Sequence, residues 1–329
     1  MTDNPPVLIL APLQGVTDVV FRQAYVRHFS GIDQAMAPFI STMSSRRLKP
    51  SRLKDVDPAL NTALPVIPQI LGNNPDDFIY LGNYLFDMGY AQVNWNLGCP
   101  HSKIAKKLRG SGLLSHPDKI DAFLSRVIPA MKPTLSVKIR LGRKAKEEIR
   151  DLIAMFNTHK LDEIILHPRT GEQMYTGAAD VDAFEQAMND CGHPMVYNGD
   201  IVDLVSWERI RQRFPEINRF MIGRGILSNP FLPEQIKGVN IDSKHTDAPI
   251  HERLKNFHAD LFNSYKQVFS GPGHLIGRMK GFWSYLGPSF ENSKKSLKKL
   301  LKSNSEQGYL DRVNEFWDMS LNFGPGRIE

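Results

Sequence analysis

A chain of 329 residues exceeds one typical domain, and 41% hydrophobic against 23% charged residues describes an ordinary globular protein with material for a sizeable core. Two cysteines, Cys99 and Cys191, exclude a disulfide scaffold and lack metal-ligand spacing, so no metal is expected and a reducing, cytoplasmic setting is; Val7 to Leu10 is too short for a signal core or a membrane span. The basic excess, 41 against 35 with a pI near 9.2, hints at a polyanionic partner only where the charges cluster.

In chain order, short β-rich runs alternate with longer helical patterns to about residue 230. Strands are predicted at Val7–Ala11, Gln34–Ala37, Val66–Leu71, Gln92–Asn96, Leu135–Ile139, Glu163–His167, Met195–Asn198 and Arg219–Ile222. Helices are predicted at Asp18–Arg27, Asp76–Met88, Lys119–Met131, Ala145–Thr158, Val181–Asn189 and Val202–Phe214. Eight strands with helical crossovers point to an α/β fold, a (β/α)8 TIM barrel over residues 1–238, with a doubly wound open sheet as the competing architecture. Beyond Pro230 the strand rhythm stops. Gly238–Pro249 reads as a polar linker, and Ile250–Ser270, His274–Leu286, Ser293–Leu301 and Glu306–Asn322 carry the helical period, giving a small all-helical C-terminal domain over 249–329.

The carboxyl ends of barrel strands carry the chemistry, and here those ends are polar. The first strand runs into Pro12, Leu13 and Gln14, and the third carries Gln69. The fourth ends in Asn96-Leu97-Gly98-Cys99-Pro100: Gly98 allows a turn, Pro100 stops the strand, and Cys99 is presented on a loop. The fifth gives Lys138 and Arg140, two apart and on one face; the sixth gives His167 and Arg169, the seventh Asn198, Gly199 and Asp200, the eighth Gly223 and Arg224. Singly, each has a plain structural explanation: Cys99 a buried core thiol, Gln69 a helix cap, His167 a satisfied core imidazole, Asn198-Gly199 a turn. Their joint placement is hard to explain by packing.

The loops after strands seven and eight of such barrels often hold a phosphate, and Asn198-Gly199-Asp200 with Gly223-Arg224-Gly225 supply backbone N–H groups and a guanidinium suited to a phosphate monoester. No G-x-G-x-x-G follows the first strand, so a phosphate-anchored mononucleotide fits better than a dinucleotide. Lys138 inside the barrel calls for an anionic partner, which a reduced flavin would supply.

Together these segments resemble the tRNA-dihydrouridine synthases. The matching runs are Ala11-Pro12-Leu13-Gln14-Gly15-Val16-Thr17-Asp18, Gln69-Ile70-Leu71-Gly72, Asn96-Leu97-Gly98-Cys99-Pro100, Gly110-Ser111-Gly112-Leu113-Leu114, Val137-Lys138-Ile139-Arg140-Leu141-Gly142, His167-Pro168-Arg169-Thr170, Asn198-Gly199-Asp200-Ile201 and Ile222-Gly223-Arg224-Gly225. In the tail, Arg278-Met279-Lys280-Gly281-Phe282-Trp283-Ser284-Tyr285-Leu286 is similar to the bacterial subgroup that reduces uridine 16 of the D-loop. The resemblance implies an FMN-binding catalytic barrel that takes hydride from NADPH and reduces the C5–C6 bond of a tRNA uracil, followed by a helical tRNA-recognition domain. It gives Cys99 the proton-donor role. The flavin contacts fall on Pro12, Leu13, Gln14, Gln69, Lys138, His167, Asn198, Gly199, Asp200, Gly223 and Arg224, and the tRNA contacts on Asn96, Tyr175, Arg278, Lys280 and Tyr285. Three positions depart from the family pattern: Leu13 stands where Met is usual, Pro168 replaces the glycine of His-Gly-Arg, and Ser41 stands where the position-16 subgroup carries Arg.

A thiol with an ordinary pKa is mostly protonated at pH 7 and so can act as a general acid toward C5; Lys138, Arg140, His167 and Asn96 are the available donors for charge developing on the uracil carbonyls. The target base would have to be flipped out of its stack. Basic residues cluster after strand two (Arg46, Arg47, Lys49, Arg52, Lys54), after Cys99 (Lys103, Lys106, Lys107, Arg109), after strand five (Arg143, Lys144, Lys146) and along one face of a tail helix (Lys294, Lys295, Lys298, Lys299, Lys302), a pattern that suits RNA phosphates. A solvated face or a membrane-surface helix is the competing reading of the lysine helix. A monomer acting on tRNA without a membrane is expected. Two alternatives stay open: an FMN-dependent barrel reductase of a small molecule, and a non-catalytic RNA-binding barrel.

Overall fold

A computed structural model describes residues 5–45, 48–239 and 250–324. Arg46 and Arg47 of the first basic cluster, and most of the expected linker, lie outside the described residues. Ten strands occur: β1 (Val7–Leu10), β2 (Gln34–Met36), β3 (Ile40–Ser41), β4 (Val66–Ile67), β5 (Gln69–Leu71), β6 (Gln92–Asn96), β7 (Thr134–Arg140), β8 (Ile164–His167), β9 (Met195–Tyr197) and β10 (Arg219–Ile222). Parallel strands alternate with helices up to residue 222 and helices alone follow residue 250, so the fold is the α/β barrel with a helical C-terminal region.

Ten strands serve where eight were expected because two staves are broken. The predicted run Val66–Leu71 is cut at Pro68, which has no N–H to give a ladder. Its neighbour is cut at Pro38. Ala35 pairs with Val66 before the breaks and Ile40 with Ile70 after them. β3, two residues long, is too short to read from periodicity.

The described residues form two compact units, one of 34–199 with 216–221, the other of 1–33, 200–215 and 222–329. In the first, β3, β5, β6, β7, β8, β9 and β10 lie side by side. Asn96 pairs with Lys138 across β6 and β7, and Arg140 with His167 across β7 and β8. Alternation along β7 sends Ser136, Lys138 and Arg140 to one face, and Leu135, Val137 and Ile139 to the other. Trp95 packs outward: it is fully buried, stacks on Phe123 at 4.0 Å and gives its indole N–H to Gly72 O at 2.9 Å. The crossover helix Pro75–Asp87 starts where the sequence signals it should, with Pro75 at its first turn and the Asn74 side chain accepting from Asp77 N–H.

In the second unit, helix Val19–His28 is capped by Asp18 and packs through Phe21 and Tyr25 on Phe257 of helix Ile250–Val268. Arg253 makes a buried ion pair with Glu234 at 2.8 Å, its guanidinium lying over the rings of Phe29 and Phe231 at 5.2 and 4.9 Å. The tail has its own aromatic core, in which the Tyr309 hydroxyl accepts from Trp283 Nε1 at 2.8 Å and lies 2.7 Å from His258 Nε2. The last predicted helix stops early, at Trp317, because residues beyond it bond to a neighbouring segment instead: Glu291 N–H to Ser320 O, Asn322 N–H to Ser289 O, and a Phe290–Leu321 bridge.

Burial brings the His258 pKa down from its ordinary value to about 3. Between pH 6.5 and about 3 the unfolded chain therefore binds a proton that the folded chain refuses, and stability falls as pH falls through that window. Between pH 7 and pH 5 the wild type is expected to lose about 2 kcal/mol more than His258→Gln, measured by urea unfolding.

Candidate active site

In the first unit the parallel strands deliver their carboxyl ends to one face, and β6 delivers Cys99 there. Asn96 Oδ1 accepts from the Gly98 and Cys99 N–H groups at 3.1 and 2.9 Å, which turns the chain off the strand. Arg140 Nε donates to Gly98 O at 2.9 Å and Ser111 N–H to Cys99 O at 3.0 Å, closing the loop from two further sides. The glycine that this loop requires is Gly110. Its φ is +54°, and a side chain there would put Cβ 2.8 Å from Cys99 O. Gly98, which the sequence suggested for the turn, has no left-handed φ, and a Cβ there would make only ordinary contacts, the nearest at 3.4 Å to Lys138 O. The tight approach of Gly110 joins residues eleven apart, so no local pattern signals it.

The Cys99 thiol is half-buried. Burial pushes its pKa up, opposed by a hydrogen bond from the His101 backbone and by the Arg140 and Lys138 charges. Lys138 keeps some exposed surface but is packed deep in protein, and among the described residues no carboxylate pairs with it. Burial first, then the neighbouring Arg140 guanidinium, bring its pKa down to about 7. Near neutral pH Lys138 is thus poised between its neutral and charged forms, and a nearby anion would favour the charged one.

Arg140, expected among the donors for substrate carbonyls, is 2% exposed and spends itself on backbone: beyond Gly98 O, its Nη1 donates to Thr170 O at 2.9 Å and Met174 O at 2.6 Å. Its guanidinium lies over the Tyr175 ring at 5.2 Å. It braces the Cys99 loop against the Thr170–Tyr175 loop, and Tyr175 itself is 48% exposed. Arg169 Nη1 stands 3.0 Å from His167 Nε2. An arginine N–H can only donate, so Nε2 is the acceptor and the imidazole proton sits on Nδ1. Asn198 Nδ2 donates to Met221 O at 2.8 Å, and Gly199 has room for no side chain, since a Cβ would lie 2.1 Å from the Tyr197 hydroxyl.

Gln69 is fully buried. Its Nε2 donates to Asn94 Oδ1 at 2.8 Å and its Oε1 accepts from Asn96 Nδ2 at 2.7 Å, leaving Oε1 a second lone pair and Asn96 Nδ2 a second hydrogen. On the same face, Lys49, Arg52, Lys54, Lys103, Lys106, Lys107 and Lys144 are exposed. Arg109 and Arg143 are instead used within the protein, Arg109 on Asn73 Oδ1 and Arg143 on Pro100 O and Ser111 Oγ.

The second unit holds the remaining expected residues. Thr17 ties down the Pro12–Gln14 loop: its hydroxyl donates to Ala11 O at 3.0 Å and accepts from Leu13 N–H at 2.8 Å. Arg224 begins a short helix and pairs with Asp200 at 2.8 Å. At Gly223 a Cβ would stand 3.3 Å from both Ala11 Cβ and Leu13 Cδ1. Arg278 is paired with Asp18 at 3.1 Å and lies over the Tyr265 and Phe269 rings, while Lys280 and Tyr285 are half-buried on the same helix. Among the described residues, no three His, Cys, Asp or Glu side chains are grouped to hold a metal ion, and no helix is long and apolar enough to cross a membrane.

The donor set fits a flavin: an ammonium with no carboxylate partner among the described residues for an anionic ring edge, a carbonyl lone pair on Gln69 for a ring N–H, and the His167 imidazole on the neighbouring strand.

A family model described as dihydrouridine synthase matches residues 9–316. A probable tRNA-dihydrouridine synthase of Staphylococcus aureus is 31% identical over 80% of this chain and 79% of its own. A tRNA-dihydrouridine(16) synthase of Aquipseudomonas alcaligenes is 27% identical over 85% of this chain and 90% of its own. Among solved structures, a morphinone reductase superposes with a TM-score of 0.50 at 10% identity, covering 72% of this chain and 91% of that one, a likeness of fold alone.

Proposed function

Since the chain belongs to the dihydrouridine synthase family, and is thus an oxidoreductase, we propose that it reduces the C5–C6 bond of a D-loop uridine in tRNA, at position 16, using FMN and NADPH with Cys99 as proton donor. The observation that carries this reading is a half-buried thiol, its pKa pushed up by burial, on the loop that leaves β6, one strand away from Lys138, which has no carboxylate partner among the described residues.

When bound and reduced by NADPH, FMN would supply the hydride for C6 of the uracil. The protein's residues do the rest. Lys138, Gln69, His167, Asn198 and Gly199 would hold the cofactor in this unit, Lys138 offering charge to an anionic ring edge and Gln69 Oε1 an acceptor. In the other unit Pro12, Leu13, Gln14, Asp200, Gly223 and Arg224 are the residues assigned to the cofactor, Arg224 and the backbone N–H groups suiting its phosphate. The second hydrogen of Asn96 Nδ2 is available to a uracil carbonyl, and Cys99 passes its proton to C5 as charge develops there. Tyr175 is an exposed aromatic that can stack on RNA.

The helical region of 249–329 is proposed to recognise tRNA, with Arg278, Lys280 and Tyr285 on one helix and an exposed lysine face at Lys294, Lys295, Lys298, Lys299 and Lys302. The lysines suit RNA phosphates, and the double substitution Lys295→Glu with Lys299→Glu is expected to weaken tRNA binding and to flatten the slope of log Kd against log salt by roughly one to two units. An unchanged slope means that the lysines are only solvated.

The protein is proposed to act in the cytoplasm as a monomer. The deciding assay incubates the flavin-loaded enzyme and NADPH with unmodified tRNA transcript or with free uracil derivatives. Dihydrouridine at position 16 of the transcript is expected, and turnover of the free bases alone would overturn the reading.

A further inference from the structure

Behind Cys99 four buried polar side chains form one line. Ser136 Oγ lies 3.5 Å from Val93 O and accepts from Asn94 Nδ2 at 2.9 Å. Asn94 Oδ1 accepts from Gln69 Nε2 at 2.8 Å, and Gln69 Oε1 from Asn96 Nδ2 at 2.7 Å. Asn96 Oδ1 then accepts from Gly98 N–H and Cys99 N–H. Ser136, Asn94 and Gln69 are 0% exposed and Asn96 is 7% exposed.

The direction of this line is forced. At one end stands a carbonyl, which can only accept; at the other stand two backbone N–H groups, which can only donate. Turning over Gln69 or Asn96 would set donor against donor and acceptor against acceptor at two junctions in a dry interior, and turning over Asn94 would set its Nδ2 against Gln69 Nε2. The register supplies the spacing, since Gln69, Asn94 and Ser136 lie opposite one another on β5, β6 and β7.

We infer that Asn94 and Ser136 are positioning residues for Cys99: through Gln69 and Asn96 they hold the loop so that the thiol meets the substrate at a fixed place. Both are wholly buried and neither is among the residues assigned to cofactor or substrate. This inference rests on the proposed role of Cys99, and its test separates the two.

The test uses the full-length, flavin-loaded protein in a Cys191→Ser background, so that Cys99 is the sole thiol. Iodoacetamide alkylation is followed against pH, and tRNA turnover is measured in parallel. Asn94→Leu removes the middle of the line. It is expected to move the alkylation midpoint down by about half a unit or more, as the loosened loop admits water. It should also lower kcat by about ten- to a hundredfold with KM within about twofold, measured on the flavin-loaded fraction. Asn94→Asp, whose two oxygens can accept from Gln69 and from a turned Ser136 hydroxyl, should recover most of kcat. Should Asn94→Leu fail to fold, Ser136→Ala takes its place with the same readouts. A wild-type midpoint and kcat in a variant whose Tm has fallen would overturn the inference. A shifted midpoint in a protein that never reduces tRNA would uphold it and overturn the proposed reaction instead.

Discussion

Cys99→Ala is expected to keep flavin content and flavin reduction by NADPH at wild-type levels while tRNA reduction falls by about 10²–10⁴-fold, the range of a lost general acid. The substitution removes one sulfur and little else. The N–H and carbonyl of residue 99, which bond to Asn96 and Ser111, stay in place. Burial is the largest influence on the thiol and pushes its pKa up; Lys138 and Arg140 only temper this. A nucleophilic cysteine needs the reverse, a strongly depressed pKa. The wild-type rate should therefore hold through neutral pH and fall only above the ordinary cysteine range, as the proton to be donated is lost. The alanine variant should lack that alkaline limb. Single-turnover reduction of tRNA across pH 6–10 measures both, and equal turnover in variant and wild type would remove Cys99 from the reaction.

The strand end that leads into Cys99 was legible because its signals are local. A five-residue alternating run closed by Gly98 and Pro100 gave β6 with its observed bounds, Gln92–Asn96. What the sequence hid is what depends on register. Asn94 looks like the solvent-facing member of an alternating strand, yet it is fully buried because both faces of a barrel strand are covered. Only pairing with Gln69 and Ser136 explains a polar residue there. Gly110 escaped for a similar reason, since its constraint comes from Cys99 across an intervening turn. Arg140 and Lys138 read alike in sequence, two cations on one strand face. Structure separates them, one donating to three backbone carbonyls and the other without a carboxylate partner among the described residues. The short helices Arg224–Ser228 and Leu232–Ile236 are each five residues long, less than two turns, too short for a period to register.

That lysine gives the second large effect. Lys138→Met is expected to lower flavin retention by at least about tenfold and, in the same preparation, to raise the Tm of the flavin-free protein at pH 7. The two changes have one cause. Folding brings the ammonium into a place that penalises its charge, so its pKa falls from the ordinary lysine value to about 7. Between about pH 7 and 10.5 the unfolded chain holds a proton that the folded chain has shed, so the stability of the flavin-free protein rises with pH across that window. Methionine keeps the bulk of the side chain and removes the charge, which relieves this cost and abolishes the dependence. An anionic ring edge reverses the sign. It favours the charged lysine, so wild-type flavin binding should take up a proton above pH 7 and weaken as pH rises, and the methionine variant should do neither. Calorimetric titration with FMN under NADPH in two buffers of different ionisation enthalpy counts that proton. Flavin affinity and proton uptake that survive Lys138→Met together would place the ring away from β7.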